Sequence, residues 1–159
     1  MKIEAHWVLA LGAIAAAALT AVLMVGRSTA PAREHSLRPG DASLVARGEQ
    51  VYRAHCASCH GARLEGQPNW RERGADGRLP APPHDASGHT WHHPDGMLFR
   101  LTKHGTAKVA KLKDYNSAMP IYDGVLSDEE IIAVLSWIKA QWPPEIRARH
   151  DQLNRPVRP

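Results

Sequence analysis

The sequence is poor in cysteine and in phenylalanine. Its 159 residues include only two Cys and one Phe, against five Trp. Two cysteines exclude a disulfide-dense secreted scaffold and a four-cysteine zinc or iron–sulfur site. No large excess of charge of one sign is present either, because 20 Lys and Arg stand against 16 Asp and Glu, and we expect no nucleic acid partner. The remaining composition, 43% hydrophobic and 23% charged, is typical of a folded soluble domain.

Residues 1–30 are predicted to be a signal peptide or a membrane-anchor helix. Residues 7–26 hold no charged side chain, and as a helix rising ~1.5 Å per residue they could just cross a bilayer core of ~30 Å. Residues 28–30 (Ser-Thr-Ala) would suit a signal peptidase, so cleavage and retention both stay open. In either case the chain that follows is exported, and residues 31–43 are predicted to form a polar tether.

Apolar residues at helical spacing predict three helices in the exported part of the chain. These helices cover residues 44–57, 95–104 and 127–141. The first helix has a cap at Asp41 or Ser43. Pro94 and Gly105 bound the second helix, and a Ser127–Glu130 capping box and Pro143 bound the third.

The rest of the exported chain is predicted to be irregular. Gly and Pro interrupt residues 61–83 throughout, and residues 106–126 show no periodic pattern. No strand pattern is found, so the predicted fold class is all-α. We expect a domain at residues 44–142, followed by a polar C-terminal extension at residues 143–159 with a short helix over 145–152.

Residues 56–60 read Cys-Ala-Ser-Cys-His and contain both cysteines of the chain. On a helical turn Cys56 and Cys59 would point to the same side and could form thioether bonds to the two vinyl groups of one haem, while His60 would offer its imidazole to the iron. A thioredoxin-like redox pair needs a βαβ scaffold, and a zinc ribbon needs a second cysteine pair; neither pattern is present. A structural disulfide between the two cysteines stays open.

Residues before and after this motif support the same interpretation. Gly48 and Tyr52 lie eight and four residues before Cys56, and a Met-Pro pair at 119–120 precedes the last predicted helix. Together with the C-x-x-C-H motif, these features resemble the class I cytochrome c family in its small bacterial single-haem form. The resemblance implies three to four short helices and long loops around one covalent haem c, preceded here by an apolar helix. It also places Gly48 and Tyr52 where the first helix crosses the last, with Trp137 as the aromatic partner.

The resemblance implies that His60 and Met119 are the axial iron ligands, with Pro120 holding the loop of the methionine. Of the other three methionines, two lie in the N-terminal segment and Met97 is expected to be a core residue. A proline carbonyl would orient His60 through its second ring nitrogen, and of the three prolines in the following loop we prefer Pro82. Pro82 and Tyr52 are therefore further candidate residues of the haem site.

Two further groups of residues stand out, and only the first departs from the minimal family pattern. One is a histidine cluster, which contains His84, His89, His92, His93 and His104. The cluster could be a copper or zinc site, a pH-sensitive gate, a source of a ligand in place of the methionine, or simply a loop covering the haem edge. The other is a lysine group, which contains Lys103, Lys108, Lys111 and Lys113. This group is either an ordinary solvated surface or a docking site for an acidic partner.

The resemblance implies a one-electron carrier rather than an enzyme. We expect a monomeric domain that meets redox proteins of a respiratory chain, at the periplasmic face of a bacterial inner membrane if it is anchored, or free in the periplasm if the signal is cleaved. Two alternatives stay open: a fixed haem c subunit of a larger oxidoreductase, relaying electrons from a dehydrogenase or to an oxidase, and a peroxidase-like or gas-binding haem with an exchangeable sixth ligand.

Overall fold

The structure, a computed structural model, describes residues 35–155. Six helices occur in this range, and a 3-10 turn (Thr90–His92) precedes the third. They are α1 (Ala42–His55), α2 (Ala57–His60), α3 (Asp95–His104), α4 (Thr106–Val109), α5 (Asp128–Gln141) and α6 (Pro144–Leu153). No strand is formed between residues 35 and 155, so the predicted all-α fold class is confirmed. Because α2 and α4 have only four residues each, the longer helices number four, as the resemblance implies.

Side-chain caps set the helix boundaries near the predicted positions. The Asp41 carboxylate accepts a hydrogen bond from the backbone N–H of Leu44 at 3.1 Å, so α1 begins and ends two residues earlier than predicted. At α5 the predicted capping box is present: the Ser127 hydroxyl accepts from the Glu130 N–H, and the Glu130 carboxylate accepts from the Ser127 N–H at 2.9 Å. Helix α3 begins and ends as predicted, with Gly105 at φ +85° after its last residue.

Helices α1 and α5 cross at a point of very close backbone contact. A Cβ atom placed on Gly48 would lie 2.1 Å from the carbonyl oxygen of Ala133, so only glycine permits this approach. One turn further along α1, the ring of Tyr52 packs against the ring of Trp137, with 4.6 Å between centroids. The predicted crossing and its aromatic pair are therefore present, and they join the helix that leads into the C-x-x-C-H motif to the main apolar helix of the domain.

The predicted polar tether at residues 31–43 is wrong over its described part. The ring of His35 stacks on Phe99 at 3.8 Å, and Leu37 is buried. The backbone N–H of Leu37 donates to the Asp95 carboxylate at 2.9 Å. Polar composition is misleading here because buried acceptors in the domain take up the backbone donors of this segment. The rest of the tether, and residues 1–30, lie outside the described residues.

The predicted C-terminal helix is confirmed as α6, but it is an integral part of the domain rather than a loose extension. His150 is fully buried, and its Nε2–H donates to the carbonyl oxygen of His93 at 3.0 Å. Lys139, on α5, is also buried; its ammonium group lies 2.6 Å from the Asp151 carboxylate and 4.0 Å from that of Asp95. Polar contacts of this kind are invisible to an analysis of apolar periodicity.

Two further observations concern the remaining segments. Residues 61–83 contain no helix or strand, as predicted, whereas the single turn α4 lies in a stretch that was predicted to be irregular.

None of the helices between residues 35 and 155 has the length and apolar character that crossing a membrane requires. The apolar run at residues 7–26 lies outside that range.

Candidate functional site

The two cysteines lie on a tight helical turn directly after α1. The N–H of Cys56 donates to the Tyr52 carbonyl at 2.9 Å, and the N–H groups of Cys59 and His60 both donate back to the carbonyl of Cys56. Neither thiol is in a disulfide, so the alternative of a Cys56–Cys59 bridge is not realised in this structure. Burial, and secondarily the neighbouring Cys59, raises the pKa of the Cys56 thiol to about 11. Both thiols are thus free, and they lie on one turn.

His60 is buried and held in one tautomer. Its Nδ1–H donates to the carbonyl oxygen of Pro82 at 2.9 Å, so the expected hydrogen bond to this proline is present. Burial lowers the pKa of His60, and the hydrogen bond to Pro82 opposes that shift to a smaller extent. The ring is therefore neutral at neutral pH, and its Nε2 lone pair is available to a metal.

Two tyrosine hydroxyl groups fix the backbone at either end of the motif. The Tyr52 hydroxyl donates to the carbonyl of Gly61 at 2.7 Å, directly after the motif. The Tyr122 hydroxyl donates to the carbonyl of His55 at 2.7 Å, directly before it. Tyr122 was not among the predicted site residues, although an aromatic residue in a polar loop close to the Met-Pro pair was an available signal. Both contacts hold the turn of the motif rigid.

This arrangement fits covalent haem c. Two free thiols three residues apart and a buried imidazole with one nitrogen already engaged are the donor set that the cofactor requires. A family model for cytochrome c matches residues 45–142, which is more than half of the chain.

The chain belongs to the cytochrome c family.

Membership means that this cytochrome c carries covalently bound haem c with its iron, and that it transfers electrons. Comparisons with curated proteins and with solved structures found no match.

Met119 lies in the loop between α4 and α5. Its side chain is half-buried and packs against the hydrophobic core, and its N–H donates to the Ser117 hydroxyl at 3.1 Å. Ligation of iron by Met119 stays a prediction. The expectation that Met97 is a core residue is wrong: this side chain, on α3, is only partly buried and does not belong to the core.

His84 has a contact that its place in the histidine cluster did not predict. Its ring stacks on that of His60, with 4.0 Å between centroids and 22° between planes. A hydrogen bond of 2.7 Å joins its Nδ1 to the Thr90 hydroxyl. Burial, with a smaller contribution from the neighbouring His60, lowers the pKa of His84 well below its usual value. His84 is thus the residue of the cluster that contacts the motif.

The other histidines of the cluster contact tryptophan rings, one another or a carboxylate, and His89 packs edge-on against His93 at 5.6 Å. His89 stacks on Trp70 at 5.5 Å, and His92 stacks on Trp91 at 3.7 Å. His104 lies 3.6 Å from the Asp123 carboxylate. Within residues 35–155 no three His, Cys, Asp or Glu side chains are arranged to hold a metal ion, so the interpretation of the cluster as a copper or zinc site finds no support.

The lysine group divides into one paired and three exposed residues. Lys103 forms an ion pair of 2.6 Å with Asp128, and this contact raises its pKa. Lys108, Lys111 and Lys113 are exposed, next to the exposed side chain of Leu112. These three lysines lie within six residues of the chain, with no acidic residue between them.

Proposed function

We propose that this cytochrome c carries single electrons between redox proteins of a periplasmic respiratory chain, with His60 and Met119 as the iron ligands. The iron supplies the chemistry by alternating between the ferrous and ferric states. The observation that carries the proposal is the hydrogen bond from His60 Nδ1 to Pro82, because it engages Nδ1 and leaves Nε2 of a neutral ring as the nitrogen available to iron. A thioether as sixth ligand favours ferrous iron and raises the reduction potential.

The part of the protein in this function is to attach the haem and to orient His60. Cys56 and Cys59 would form the two thioether bonds, and their fixed turn would place the His60 imidazole beside the haem. Tyr52 and Tyr122 hold that turn at its two ends. Because the motif is held on both sides, the ligand needs little rearrangement when the iron changes charge.

Substitution of the methionine tests the ligand assignment. In Met119→Ala we expect loss of the absorption band that marks a sulfur–ferric iron bond, together with a lower reduction potential. Met97→Ala is the matched control, because Met97 is also partly buried but lies on α3; its spectrum should equal that of the parent protein. An unchanged band in Met119→Ala would contradict the assignment and would favour a histidine ligand or an exchangeable site.

Covalent attachment has its own test. After denaturation and acid–acetone extraction, colour should remain with the protein, and the intact mass should show one added haem. The same mass measurement on protein purified from membranes decides whether residues 1–30 are retained. Colourless protein would contradict the assignment of Cys56 and Cys59.

We further propose that the exposed lysines steer an acidic partner. Charge of one sign near a docking surface accelerates association at low salt. Joint replacement of Lys108, Lys111 and Lys113 by Gln should slow electron transfer to an acidic redox protein several-fold at low ionic strength and change little at high salt. Lys103→Gln is the control, since Asp128 already compensates its charge. Equal effects of the two variants would contradict the proposal.

A fixed subunit of an oxidoreductase is the second candidate, and one observation favours it. The backbone of Leu37 and Arg38 is bonded to Asp95 and Ser136, so the chain is attached to the domain from this point onward. If an anchor at residues 7–26 is retained, the few residues between it and His35 reach at most about 28 Å when extended. Stoichiometric co-purification with a dehydrogenase or an oxidase would favour this candidate, and purification as a monomer would favour the mobile carrier.

A further inference from the structure

The ring of His60 has a second neighbour besides the Pro82 carbonyl. The imidazole of His84 lies almost parallel to it, with 4.0 Å between centroids and 22° between planes. A hydrogen bond at Nδ1 fixes one point of the His60 ring, whereas a flat ring against its face limits the remaining rotation about the Cβ–Cγ bond.

His84 is itself held firmly at several points. Its N–H donates to the Leu64 carbonyl at 2.8 Å, and its carbonyl accepts from Trp142 Nε1 at 2.7 Å. Its ring is fixed by the 2.7 Å hydrogen bond to the Thr90 hydroxyl. The stacked ring is therefore part of a rigid frame formed by the loop and the end of α5, and it can impose an orientation on its neighbour.

We propose that His84 is a positioning residue that sets the plane of the His60 imidazole about the iron–nitrogen axis. The inference rests on the proposed ligation by His60. The orientation of an axial imidazole plane determines how the two iron d orbitals that interact with the ring differ in energy, and low-spin ferric EPR g values report this difference. A single imposed orientation gives one narrow set of g values, and a free ring gives a broad or multiple set.

The test compares ring-removing and ring-keeping variants of the holoprotein. In His84→Leu we expect shifted and broadened ferric g values and an altered spread of haem methyl shifts in the proton NMR spectrum. His84→Phe keeps a flat ring against His60 and should restore the narrow signal. Thr90→Val leaves the His84 ring in place but removes its tether, so its signal should fall between the two.

A matched control separates this effect from general disturbance of the loop. His92→Leu also removes a stacked imidazole, but one that lies on Trp91, and it should leave the g values unchanged. A high-spin ferric parent protein would overturn the ligation by His60 and Met119. A low-spin parent whose g values are unchanged in His84→Leu, or changed equally in His84→Phe, would overturn the role of His84 alone.

Discussion

The crossing of α1 with α5 and the loop over residues 61–94 both support His60, but they use different parts of the chain. At the crossing, the support comes from side-chain packing: Gly48 provides space, and Tyr52 and Trp137 fill it. In the loop, the support comes mostly from hydrogen bonds of backbone atoms. The carbonyl of Pro82 accepts from His60, and the N–H of Gly66 donates to the His60 carbonyl at 2.8 Å.

A glycine is essential in each region, for a similar local reason. A Cβ on Gly48 would lie 2.1 Å from a carbonyl oxygen of α5, and a Cβ on Gly88 would lie 2.0 Å from the carbonyl oxygen of Pro83. The difference is in what can move. Two fourteen-residue helices resist separation, whereas a loop can shift its backbone. We therefore expect the crossing to govern the stability of the domain and the loop to govern how His60 is held.

The largest effect is expected at the crossing. Gly48→Ala forces α1 and α5 apart, and we expect a loss of at least about 2 kcal/mol in the free energy of unfolding. The electronic spectrum of the folded holoprotein should change little, because Pro82 and His60 are untouched. Denaturant unfolding measures the first expectation and absorption the second.

The control for Gly48→Ala is Gly96→Ala, also within a helix. There the new Cβ would meet only the flexible end of Arg100, at 3.4 Å. Stability should stay equal or rise by up to about 1 kcal/mol, because alanine has the higher helix propensity. If both variants unfold alike, the close contact at Ala133 is not what limits stability.

Gly88→Ala should show the reverse pattern. The displaced Pro83 carbonyl shifts its neighbour Pro82, so the hydrogen bond to His60 weakens and the reduction potential and g values change. We expect only about 1 kcal/mol of lost stability, because the loop can relax. Gly40→Ala is the control, since nothing lies within 4 Å of its Cβ position. A large stability loss without a spectral change would contradict the division between the regions.

Tyr52→Phe tests the connection between the two regions. The Tyr52 ring belongs to the crossing, and its hydroxyl donates to Gly61 at the start of the loop. We expect about 1 kcal/mol of destabilisation from loss of this hydrogen bond, with the packing on Trp137 unchanged. Tyr115→Phe is the control because its hydroxyl makes no hydrogen bond within residues 35–155; thermal unfolding should leave it equal to the parent.

The smallest expected effect is a loss of folding stability at acidic pH. Burial lowers the pKa of His150 below its usual 6.5, with Lys139 contributing in the same direction and Asp95 and Asp151 opposing. The unfolded chain therefore binds a proton that the folded one resists, and stability falls as the pH drops below about 6.5.

The measurement is the slope of the melting temperature between about pH 7 and pH 5. His150→Gln, whose amide can still donate to the His93 carbonyl, should have a flatter slope than the parent protein. An equal slope in the two proteins would exclude His150 as the group responsible.

The regular helices and their caps were accessible to sequence analysis. Asp41 and the Ser127–Glu130 box follow from local rules, and the close approach at Gly48 follows from the resemblance to the cytochrome c family. The contacts of the N-terminal segment and of α6 were not accessible. Leu37 reaches Asp95 over 58 positions in the chain, and no periodic pattern encodes a single polar contact at that separation.

The candidate site also has a part that the sequence predicts and a part that it does not. Cys56, Cys59 and His60 lie within five consecutive residues, so their chemistry can be recognised from the sequence. The partners Pro82, His84 and Tyr122 come from distant loops. Pro82 was preferred among three prolines only through a family resemblance, and the stack of His84 on His60 had no sequence signal at all.

By itself, the sequence determined the four longer helices, the caps of α1 and α5, the cytochrome c motif and the membership that follows, because these depend on neighbours within a few positions. Only the tertiary structure decided which carbonyl holds His60, which ring lies against it, and that residues 35–41 and α6 are integral to the domain. The physical reason is that these contacts depend on the path of irregular backbone through space, and that path is set by packing rather than by local preference.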